Sequence, residues 1–82
     1  MSPYEDSVIS VYIRATAEND HKGLEIAEKT FGTIRRLVRS DAPENEFAFV
    51  TKPKSVREIN ACCEAMKDQG VEVLGMIRLS DL

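Results

Sequence analysis

The chain has one histidine and two cysteines among its 82 residues, and these shortages remove classes of function. His21 has no metal-ligand spacing to Cys62 and Cys63, so no metal site is expected. The two cysteines are adjacent and cannot form an ordinary framework disulfide with each other. Vicinal thiols persist where thiols stay reduced, which points to the cytoplasm. No run approaches the ~18 apolar residues of a membrane span. The opening Met1-Ser2-Pro3-Tyr4-Glu5-Asp6 lacks the basic-then-apolar layout of a secretory signal, so no membrane role is expected. A net charge of −3 argues against a general nucleic-acid binder, which needs a basic excess to displace counterions. No acid, base and nucleophile cluster together, so neither catalysis nor a cofactor is expected.

What remains is a single small domain over residues 1–82, with 43% hydrophobic and 30% charged residues. A chain of this length has a thin stability margin alone, and a partner surface would add apolar burial without added chain. A homodimer is therefore expected. Residues 1–6 read as a flexible lead, and 8–79 as the folded core. Val8 to Ala15 alternates, with Ile9, Val11, Ile13 and Ala15 on one face, and period two with β-branched residues makes a half-buried strand. Asn19 or Asp20 then supplies an N-cap, and Leu24, Ala27 and Phe31 fall on one helical face.

The stretch after Gly32 decides the topology. Helical spacing can run on through Ile34 and Val38, giving βαβαβ with one long first helix. Alternatively Gly32 ends the helix and Thr33 to Ser40 becomes a strand, paired through the Asp41–Asn45 turn with a strand from Glu46 to Lys52. Periodicity favours the long helix, although Gly32 costs it about 1 kcal/mol. Ser55-Val56-Arg57-Glu58 is a capping box opening a second helix with Val56, Ile59, Cys63 and Met66 in its stripe. Gly70 closes it, and Val71 to Leu79 forms the last strand, with Val73 and Ile77 expected on the core face.

The segment Val8 to Leu24 resembles the start of an ACT domain, a small regulatory module of amino-acid metabolism. There a first strand enters an Asp-Arg-Pro-Gly-Leu-type turn, and here Asp20-His21-Lys22-Gly23-Leu24 keeps the Asp, Gly and Leu at the same spacing. His21 and Lys22 replace the Arg-Pro pair. The resemblance spans residues 8–79 and selects the hairpin over the long helix. It implies an α+β, ferredoxin-like βαββαβ sandwich, an antiparallel sheet with both helices on one face. It also implies a regulatory homodimer binding a small amino acid at the first strand–helix turn. Asn19, Asp20, His21, Lys22, Gly23 and Leu24 are the candidate site. The amides near His21, Lys22 and Gly23 would take a carboxylate, with Lys22 adding charge and Asp20 meeting an amine. The competing role for the same turn is a helix cap, with Gly23 allowing close packing.

A second candidate is the solvent side of the sheet. Alternation assigns Tyr12 and Arg14 to it from the first strand, and Leu74, Met76 and Arg78 from the last. Apolar anchors with arginines at the rim suit a protein contact. RNA modules stack bases on two or three strand aromatics, whereas Tyr12 stands alone, so nucleic acid is the alternative reading. Cys62 and Cys63 fall in mid-helix near Glu58 and Glu64, the wrong charge for activating a thiol. Arg35, Arg36 and Arg39, close to Asp41, Glu44 and Glu46, read as local pairing or a solvated strand edge.

Overall fold

A computed structural model describes residues 7–37 and 41–82. The expected lead over 1–6, and Val38, Arg39 and Ser40, lie outside the described residues. The elements run β1 (Val8–Ile9), β2 (Val11–Thr16), α1 (Asp20–Phe31), β3 (Ile34–Leu37), β4 (Glu46–Thr51), β5 (Lys54–Ser55), α2 (Val56–Asp68) and β6 (Glu72–Arg78). A 3-10 turn, Leu79–Asp81, follows. The α+β class is as read. The hairpin alternative also holds, because Gly32 adopts φ +83°, a left-handed conformation that ends α1, and β3 follows.

Four strands form one antiparallel sheet in the order β3–β4–β2–β6. The element count exceeds the six expected, because the first strand breaks at Ser10. Val8 and Ile9 leave the sheet to pair with Ser55 and Lys54 in a separate two-stranded ribbon. Thr51 makes the break possible: its buried hydroxyl accepts a hydrogen bond from the Val11 amide at 3.2 Å. The ribbon delivers the chain to α2, whose first amide, of Val56, donates to the Ser7 carbonyl. Ser55 caps that helix by accepting from the Glu58 amide at 3.1 Å, the capping box legible in the sequence.

Both helices cover one face of the sheet. Val11, Ile13 and Ala15 of β2 and Phe47 and Phe49 of β4 pack there against Ala27 and Phe31 of α1 and Ile59 and Met66 of α2. Phe49 is the hub, meeting Phe31 edge-on at 5.6 Å between ring centres and stacking on Phe47 at 6.1 Å. Cys63, expected in the α2 stripe, is only half-buried beside this core. No helix among the described residues is long and apolar enough to cross a membrane.

Candidate functional site: the first turn of α1 and the open face of the sheet

The strand–helix junction is a closed set of internal hydrogen bonds. The amides of the first three residues of α1, Asp20, His21 and Lys22, have no partner within a bare helix. Here the Asp20 amide donates to the Glu44 carbonyl at 3.0 Å, and the His21 amide to its neighbour's carboxylate, Asp20 Oδ1, at 2.7 Å. The Lys22 amide donates to Asn19 Oδ1 at 2.8 Å, and the Gly23 amide to the Asn19 carbonyl at 3.0 Å. The Lys22 ammonium pairs with Glu18 at 3.0 Å, an exposed i,i+4 contact of small energetic weight. Leu24 is half-buried against the core. Ala17 donates to the Asn45 carbonyl, so the 41–45 turn is strapped to the junction from the other side. All six candidate residues thus stand together, with their first-turn donors engaged. Asn19→Ala is expected to lower stability by about 1 kcal/mol through loss of the cap. The same thermal melts, repeated with millimolar amino acids, are expected to show no upward shift in Tm. A rise with one amino acid would mean that a ligand competes successfully for these donors.

The second candidate is rearranged by one irregularity. Tyr12 pairs with Val50 and Ile77, and Arg14 with Ala48 and Gly75, so these side chains share the face away from the helices. Between Arg14 and Ala15 the β2–β6 register shifts, because Leu74 and Gly75 together oppose one residue of β2. The bulge reverses the alternation beyond it. Leu74 keeps its expected place on the open face, but Met76 and Arg78 pair with the core residues Ile13 and Val11. This corrects the sequence assignment of both. They line a groove with Val56, Ile59 and Asn60 of α2, and Arg78 is tied to Asp81 at 2.9 Å. Ile77, expected in the core, instead faces outward at 44% exposure.

The open face is therefore more apolar than the alternation implied. Leu74 (42% exposed) and Ile77 are joined by Leu79 (44% exposed), which borders a depression with Val50 and Arg35. Half-buried Tyr12, Val50 and Leu37 lie on the same side, and Ala48 is fully buried between them. Arg14, the charge in the middle, is matched by Glu46 at 3.3 Å. Ile77 and Leu79 were missed by sequence reasoning, and the available signal was Gly75: a glycine inside a strand often marks a bulge.

Arg36 faces the helix side and pairs with Glu28 of α1 at 3.1 Å, so its partner is not the acidic turn after β3. Arg39 lies outside the described residues. Cys62 donates from Sγ to the Thr30 carbonyl at 3.5 Å, which helps join the two helices. Burial raises the pKa of both thiols; Lys54 partly offsets this for Cys62, while the neighbouring Cys62 and Glu64 add to it for Cys63. Both are thus held as thiols rather than nucleophilic thiolates at neutral pH. Among the described residues no three His, Cys, Asp or Glu side chains stand together as a metal site.

Comparison with known proteins finds no matching family model, no matching characterised protein and no matching solved structure.

Proposed function

We propose that this chain is a non-catalytic interaction domain with a ferredoxin-like arrangement, which works as a homodimer joined through the open face of its sheet. Support for the arrangement comes from the four long strands, which lie across the sheet in chain order second, third, first, fourth, under two helices. The carrying observation for the function is the apolar surface of Leu74, Ile77 and Leu79, uncovered beside Tyr12 and Val50. Single exposed apolar side chains need no explanation, but a contiguous group on a sheet face marks a contact surface. A second copy is the occupant that fits best, since among the described residues the charges of this face, Arg14 beside Glu46 and Arg35 with Glu72, are balanced in sign and select no oppositely charged partner. The same pairing, with one aromatic on the face among the described residues, argues against RNA. Cytoplasmic residence belongs to the same proposal and rests on the two free thiols, Cys62 and Cys63.

The ACT-like part of the proposal is narrower. Asp20, Gly23 and Leu24 and the order of elements support kinship with that family, but the capped first turn favours fixing α1 over receiving an amino acid.

Sedimentation of the full chain is expected to show a monomer–dimer equilibrium in the micromolar range, since one four-stranded face gives an interface at the small end of specific contacts. Ile77→Asp should leave a folded monomer at concentrations where the wild type dimerises. Met76→Asp, on the helix side of the same strand, should dimerise as the wild type does. A wild type that stays monomeric at several hundred micromolar would overturn the proposal.

A further inference from the structure

The open face carries exposed charges at two diagonally opposite corners. Arg35 on β3 lies level with Val50, Tyr12 and Ile77, while Glu72 on β6 lies level with Thr16 and Glu46. Across the sheet they are three strand spacings apart, about 14 Å, and along β2 their levels differ by four residues, about 13 Å. The two legs are nearly equal. A two-fold axis along the other diagonal therefore exchanges the corners, and it crosses the two sheets at close to a right angle.

Resting on the homodimer reading above, we propose that two copies pack open face to open face with near-orthogonal strands, Arg35 of each copy meeting Glu72 of the other. The same operation makes the apolar residues complementary. The axis passes over Ile77, which meets its own copy, and Leu74 falls on Val50 of the second copy. Tyr12 falls over Gly75 of the second copy, where no side chain stands and a Cβ would meet nothing within 4 Å. Arg14, near the centre, brings its own counter-charge in Glu46. Near-orthogonal crossing is one of the two usual ways in which sheets pack, the other being roughly aligned. In the aligned dimers Arg35, with the axis parallel to the strands, or Glu72, with the axis perpendicular to them, instead covers Ile77 of the other copy. Burying either charge without a partner is costly, so charge complementarity selects the crossed form.

Charge reversal separates the geometries. Arg35→Glu and Glu72→Arg each place like charges at two symmetry-related contacts and are expected to weaken the dimer about tenfold. The double variant restores opposite charges and is expected to return to within about threefold of the wild-type Kd. Both sites are exposed, so circular dichroism and Tm of the Ile77→Asp monomer carrying each reversal should be unchanged. If the single variants weaken the dimer and the double variant is no tighter than they are, the crossed geometry is wrong while face-to-face association stands. A dimer insensitive to all three charge variants also overturns the crossed form. Loss of the dimer in Met76→Asp but not in Ile77→Asp overturns the underlying reading and this inference together.

Discussion

Phe49→Ala is expected to remove about 3–5 kcal/mol of stability, the usual cost of deleting a fully buried aromatic ring. A domain of this length holds about 4–12 kcal/mol in total, so the variant should stand at the edge of unfolding at 25 °C. Position explains the size of the effect. Phe49 pairs in register with Ile13 on one side and Arg36 on the other, which places its ring in the middle of the sheet's covered face. Phe31 meets it edge-on and Phe47 stacks beside it, so truncation leaves a cavity walled by rigid rings that collapse poorly. Urea denaturation at one fixed protein concentration measures the loss, since dimerisation couples stability to concentration. Phe49→Leu keeps most of the apolar volume and should lose distinctly less. Equal losses for the two substitutions, or a loss below 1 kcal/mol for alanine, would remove Phe49 from the centre of the core.

Much of this architecture was legible because the relevant signals are local. The Ser55–Glu58 capping box, the cap read at Asn19 or Asp20, which falls to Asn19, and the alternation of Val11, Ile13 and Ala15 each act within a few residues. The break at Ser10 was not legible, because it depends on Thr51, forty residues away, accepting from the Val11 amide. The faces of β6 failed for a related reason. Alternation is propagated from one end of a strand, and a single bulge inverts everything beyond it. Met76 and Ile77 exchanged sides, so the sequence placed the right strand at the candidate surface with half of the wrong side chains. After Gly32 periodicity pointed the wrong way, to the long helix, where β3 follows instead. Ile34 fits either period, and the φ of +83° that ends α1 is open to glycine without showing in the pattern that it is used.

Gly23→Ala should reverse the sign that helix propensity predicts. In an ordinary helix interior, alanine for glycine stabilises by about 1 kcal/mol. Gly23 is buried where α1 crosses β4, and a Cβ there would overlap the ring of Phe47, including approaches of 2.7 Å to Cζ and 2.9 Å to Cδ1. Phe47 is itself buried and stacked on Phe49, so it has no free direction in which to yield. Either α1 lifts from the sheet or the ring pair shifts, and overpacking of this kind costs about 1–3 kcal/mol beyond the lost propensity gain. Denaturant midpoints are therefore expected to fall in Gly23→Ala and to recover in part when Phe47→Leu is added, because the smaller side chain vacates the overlap. Positive coupling in that double-mutant cycle assigns the glycine to close packing. Independent effects, or a stabilised single variant, would mean that α1 has room at this turn. The glycine would then be open to the ligand-facing role that the Asp20–Leu24 resemblance gives it. The cycle thus tests the two roles of the junction against each other without any ligand being named.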